Sequence, residues 1–76
     1  QGHVRARLAA PIHSDGRESY LRVKTYYENG IRYARLTGHQ GSGNLFSMVE
    51  ANALAIIPAG ETVVEKDAEV ALWLLD

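Results

Sequence analysis

Apolar and polar residues alternate along most of this chain with the two-residue period of a β-strand. In "SYLRVKTYYENGIRYARLT" two alternating runs meet at Asn29-Gly30, the strongest short hairpin signal, because a two-residue type I′ turn needs positive φ at both positions. That turn sets a register in which Val23 faces Leu36 and Thr25 faces Ala34. With Leu21 these residues form one apolar face. The other face carries Tyr20, Arg22, Lys24, Tyr26, Tyr33, Arg35 and Thr37. Continued outward, the register places Arg22 opposite Thr37 and Tyr20 near His39.

"VRARLAAPI" alternates Val4, Ala6 and Leu8 against Arg5 and Arg7, and reads as a half-buried strand closed by Pro11. "ALAIIPAG" is a short apolar strand ended by Pro58 and Gly60. "EVALWLL" is apolar on both faces, which predicts a central strand or one pressed against a neighbouring domain. Between Gly43 and Ala53 the pattern changes. Ser47 and Glu50 have capping-box spacing and Asn52 is a helix-stop residue, so one short helical turn is expected there. The fold class is all-β: a small β-barrel or sandwich of five to six short strands with one helical turn.

Seventy-six residues make one domain with a small core, too small to enclose a nucleotide or cofactor alone. A formal net charge of −1 carries no general affinity for nucleic acid or an anionic membrane, and the lack of cysteine excludes disulfides and thiolate chemistry. No apolar run approaches membrane-spanning length. Gln1-Gly2-His3 reads as the remnant of a cleavable tag, and residues 4–76 as a domain excised from a larger protein.

The stretch least explained by packing is "TGHQGSGNLFSMVEAN". It lacks the lysine of a phosphate loop, and Phe46 stands where a dinucleotide fingerprint needs its third glycine. Ser42 has glycine on each side, which is not the spacing of a nucleophile elbow. His3, His13 and His39 lack metal-ligand spacing, so neither a catalytic set nor a metal site is assigned. Two readings stay open. Gly38, Gly41 and Gly43 allow a nest of backbone N–H groups, with His39, Gln40 and Ser42 as further donors to an anion. The same residues also make a tight strand-to-helix connection, which spacing alone favours.

The face bearing Arg22, Lys24 and Arg35 among tyrosines has two readings as well. It has the composition of a single-stranded nucleic-acid surface, but the overall charge favours a solvated face on which arginine stems cover tyrosine rings. Between these lies a third possibility, that Arg22, nearest the glycine-rich stretch, contributes to one anionic site.

"GRESYLRV", followed by "TGHQGSGNLFSMVEANALAIIPAG" and a closing "EVALWLL", resembles the C-terminal domain, domain IV, of the molybdopterin molybdotransferase family, which includes bacterial MoeA and the E domain of gephyrin. The resemblance runs from Val4 to Leu75. Its most specific element is Thr-Gly-His-Gln-Gly-Ser with Ala-Asn downstream, supported by the spacing of Arg17, Tyr20 and Arg22. One departure is Lys66-Asp67-Ala68, where a glycine-containing turn is common in the family.

The resemblance implies a cytoplasmic parent enzyme of molybdenum cofactor biosynthesis, which inserts molybdate into adenylylated molybdopterin with release of AMP. This domain would form one wall of a substrate cleft between the protomers of a homodimer, alongside the parent's remaining domains. Magnesium and molybdate would be handled by acidic residues of another domain, with no cofactor held here. Gly38, His39, Gln40, Gly41, Ser42 and Gly43 would face substrate, with charge from Arg22 or Arg17. The rival expectations are a non-catalytic β-barrel interaction module and a nucleic-acid-binding barrel.

Overall fold

A computed structural model describes residues 4–37 and 51–75. Among these residues seven strands follow in chain order: β1 (Val4–Leu8), β2 (Ile12–His13), β3 (Ser19–Glu28), β4 (Ile31–Leu36), β5 (Ala53–Ile57), β6 (Val63–Val64) and β7 (Glu69–Leu74). Five of them close into a barrel in the order β1-β4-β3-β5-β7, and β2 and β6 form a separate two-stranded sheet. The expected helical turn lies outside the described residues, apart from its last members Ala51 and Asn52, which are not helical.

The β3–β4 hairpin has the register its turn demands. Asn29 and Gly30 carry φ of 54° and 79°, and Val23 pairs with Leu36 and Thr25 with Ala34. Strand β7 pairs antiparallel with β1 on one side and β5 on the other, so it is central in the ring. Among the described residues, only the β1–β4 contact is parallel.

The reading of "VRARLAAPI" as one strand needs a correction that also raises the strand count. Residues Ala6 and Leu8 do face the core, but β1 ends at Leu8, and Ala9 donates its amide to the Ala34 carbonyl at 2.9 Å as the chain leaves the ring. After Pro11, which has no N–H to continue a ladder, the chain forms β2 against β6. Ile12 and Val64 of this small sheet are buried with the barrel core.

The interior takes Ala6, Leu8, Val23, Ala34, Ala53, Ala55, Ile57, Val70 and Leu72, alternating along each strand with outward residues. A ring of five strands is narrow, and the alanines let its walls approach while the larger residues fill the axis. Leu8, Val23, Ile57 and Leu72 are the largest side chains fully enclosed. Each contributes about 1.5–3 kcal/mol by leaving water.

The Lys66-Asp67 turn into β7 explains the departure from the family pattern. Ala68 donates to the Glu65 carbonyl at 3.1 Å, and Asp67 has φ of 71°. That is the type II position where glycine is preferred, and aspartate is among the few other residues that tolerate it.

Candidate functional site

The two ends of the glycine-rich segment both attach to β3. At the exit, Thr37 follows β4, and its amide and hydroxyl both donate to the Arg22 carbonyl, at 3.3 and 3.4 Å. Arg22 is therefore opposite Thr37, as the hairpin register requires. Thr37 is nevertheless 5% exposed, so its place on a solvated outer face is corrected: it is buried, with both its amide and its hydroxyl on the Arg22 carbonyl.

At the return, Asn52 donates its backbone N–H to the Val23 carbonyl at 3.0 Å and accepts from Leu75 at 2.9 Å. Its side chain is bound twice to Thr25: the Thr25 amide donates to Oδ1 at 2.8 Å, and Nδ2 donates to the Thr25 carbonyl at 3.4 Å. The β3–β5 ladder stops at Val23–Ala53 while β3 itself runs on to Glu28. Thr25 thus presents a donor and an acceptor that β5 does not reach. A carboxamide has one of each in nearly the geometry of a peptide group, so Asn52 extends the sheet with its side chain. Reading Asn52 as a helix stop missed this role. The available signal was an amide residue standing directly before an apolar strand.

Of the candidate anion-contacting residues, Gly38, His39, Gln40, Gly41, Ser42 and Gly43 lie outside the described residues. Arg22 is exposed on the outer face of β3, at the root from which that segment departs. Arg17 stands in the connection before β3. Its Nε is 3.3 Å from Asp15 Oδ2, and its backbone amide donates to Asp15 Oδ1 at 3.0 Å, so part of its charge is met locally. A shallow hollow beside this turn is lined by His13, Ser14, Asp15, Ser19 and Leu21.

The tyrosine-rich face is more occupied with itself than its composition conveys. Tyr26 and Tyr33 stack on each other with ring centres 5.8 Å apart, and Arg32 lies 5.0 Å from the centre of the Tyr27 ring while Nη2 donates to the Tyr27 hydroxyl at 2.6 Å. Arg32 and Tyr27 belong to the opposite side of the hairpin, in step with Val23 and Ala34, so their contact lies outside the face that carries Arg22, Lys24 and Arg35. No group of three His, Asp or Glu side chains able to hold a metal ion occurs among the described residues, and no helix there is long and apolar enough to cross a membrane.

Comparison with known proteins agrees with this geometry. Residues 5–75 match the family described as MoeA C-terminal region (domain IV). A molybdopterin molybdenumtransferase of Nostoc sp. is 35% identical over 69 residues, which is 88% of this chain and 16% of that protein. The crystal structure of the molybdopterin biosynthesis MoeA protein of Pyrococcus horikoshii OT3 matches with a TM-score of 0.69 and 35% identity, over 96% of this chain and 18% of that one. This chain thus spans less than a fifth of either relative. The family match covers nearly every residue and the barrel itself is shared, so the chain belongs to the MoeA C-terminal region (domain IV) family.

Proposed function

We propose that this domain works as part of a longer cytoplasmic molybdopterin molybdotransferase, which inserts molybdate into adenylylated molybdopterin and releases AMP. The glycine-rich end of the barrel forms one wall of the substrate cleft between two protomers. The observation that carries this reading is the double anchorage of residues 38–50: Thr37 on Arg22 at one end and Asn52 on Val23 and Thr25 at the other. A segment rich in glycine and hydrogen-bond donors is thereby fixed at both ends to rigid sheet, next to an exposed arginine. Molybdate is a tetrahedral dianion and the pterin substrate carries phosphates. A wall facing them needs donors and positive charge, and charge-assisted hydrogen bonds are the strong ones.

Arg22 is the better candidate for this charge, because it stands opposite Thr37 at the root of the segment, whereas Arg17 lies in the connection before β3. Ser42, between two glycines, leaves room for substrate to approach. Magnesium would be held by acidic residues of the parent's other domains. The isolated domain is expected to fold and to be inactive.

The test uses the full-length parent. Ser42→Trp should abolish molybdate-dependent AMP release with little change in melting temperature. Arg22→Ala should slow the same step by an amount equivalent to roughly 1.5–3 kcal/mol for each well-formed charge-assisted bond lost. A stable Ser42→Trp enzyme with full activity would remove the segment from the active site. Micromolar, steeply salt-dependent binding of single-stranded oligonucleotides by the domain would favour the nucleic-acid reading instead.

A further inference from the structure

We infer that Asn29-Gly30, at the tip of the β3–β4 hairpin, is a site of spontaneous deamidation, and that opening of the hairpin tip sets its rate. The dipeptide is labile wherever the chain is free, because glycine puts no side chain beside the backbone nitrogen that attacks the asparagine carboxamide. Gly30 N, losing its proton, bonds to Asn29 Cγ as the carboxamide C–N bond breaks and ammonia leaves with that proton. Water then opens the five-membered imide at either carbonyl, which gives aspartate or its β-linked isomer, isoaspartate. Amide and water are consumed; acid and ammonia are formed. The other asparagines, Asn44 and Asn52, precede Leu45 and Ala53, whose side chains hinder the same closure.

The fold both exposes this site and restrains it. Tyr27, Glu28, Asn29 and Gly30 are exposed in succession, and a methyl group placed on Gly30 would meet nothing within 4 Å, so water and a forming ring have space. Against this, Asn29 and Gly30 hold φ of 54° and 79°. These are the paired positive values of a type I′ turn, in which ψ at the first position is about 30°. At that ψ the Gly30 nitrogen stands nearly opposite the Asn29 Cβ across the Cα–C bond, whereas the imide ring needs the two on the same side. Closure therefore waits for the turn to open.

Opening costs little at this end of the hairpin. The β5 ladder stops at Val23, and β1 reaches β4 only at Tyr33 and Ala34, so among the described residues no strand lies along either side of 27–32. A ribbon of two strands is marginal alone, and such ends open locally for much less free energy than global unfolding takes. What steadies it is the Tyr26–Tyr33 stack at its base and the contact of Arg32 with Tyr27. Isoaspartate puts an extra carbon into the main chain of a two-residue turn, which displaces Glu28 from Ile31 and Tyr27 from Arg32. The damage falls on the tip and leaves the barrel core in place.

The experiment ages the 76-residue chain and a free peptide of residues 26–33 side by side at mildly alkaline pH. Cleavage after Lys24 and Arg32 releases residues 25–32 of the chain, in which Asn29 is the one carboxamide side chain, so the mass gain of an amide-to-acid change reports this site alone. Labelled methyl transfer by an isoaspartyl carboxyl methyltransferase counts the isomer. The chain is expected to convert at Asn29 more slowly than the peptide by about tenfold, with isoaspartate among the products. Tyr26→Ala, checked for cooperative unfolding, should convert faster than the unsubstituted chain. No conversion in the chain once the peptide is spent, equal rates in chain and peptide, or no acceleration in a folded Tyr26→Ala each overturns the inference.

Discussion

The barrel wall presents two outward faces that handle their large side chains differently. Across β1, β4 and the far half of β3 the outward residues are Arg5, Arg7, Lys24 and Arg35 with Tyr26 and Tyr33, and the two rings stack on each other. Arg5 also lies 3.3 Å from Glu69. Across the near half of β3, β5 and β7 the outward residues are mainly aliphatic and aromatic, and Trp73 stays half exposed even beside Tyr20. One face meets its needs within the chain and with water. The other keeps Tyr20, Trp73, Leu74 and Leu75 about half exposed.

The largest contrast is expected within β7, between neighbours that point to opposite sides. In the 76-residue chain, Leu72→Ala removes a side chain with no exposed surface and should cost about 2–5 kcal/mol in urea unfolding. Trp73→Ala should cost below about 1 kcal/mol. Similar losses for both would mean that the outer face already belongs to this domain's own core, and the two faces would no longer differ in kind.

Asn52 stands at the seam between the faces, where β3 outruns β5. Asn52→Ala strands the Thr25 amide and carbonyl at a half-buried position, at a cost of about 1–3 kcal/mol. Amide hydrogen exchange at Thr25 should accelerate correspondingly. Unchanged exchange there would show that the carboxamide is not what closes the seam.

The smallest effect sharpens the comparison further. A double-mutant cycle on Tyr26 and Tyr33 should return a coupling of about 0.5–1.5 kcal/mol, the range of a well-packed aromatic pair. The same cycle on Tyr20 and Trp73, which meet at 64° and stay exposed, should return less. An inverted order would place the self-sufficient surface on β5 and β7.

Local chemistry accounts for how far the fold is legible in the residues. Asn29-Gly30 admits almost one turn type, and the turn fixes which residues face each other, so the hairpin register follows from two letters. The doubly apolar pattern of "EVALWLL" likewise implies a strand flanked on both sides, and β7 is one. Val70 and Leu72 are apolar because they face the barrel interior, whereas Trp73 points outward and is half exposed. The two-residue strands β2 and β6 are too short to carry any alternation, and they are held by distant partners such as the Ser14 amide on the Thr62 carbonyl. The Asn52 clamp is tertiary in the same sense, because its two bonds go to a strand 27 positions away in sequence. Of the candidate site, Arg22 beside Thr37 follows from the hairpin register, whereas Gly38 to Gly43 lie outside the described residues.

Closure of the five strands into a ring also limits how this domain can be recognised. A sheet with an end strand offers a row of vacant amides and carbonyls to which any extended peptide can add. The ring itself has no end strand, so a partner that meets the barrel wall, away from the short β2–β6 pair, reads side chains on its outside. Backbone frame and outer lettering then change independently: residues such as Tyr20, Leu54 and Trp73 are open to exchange one at a time while the ladder beneath them stays the same. A lineage can retune what such a domain rests against without renegotiating how it folds.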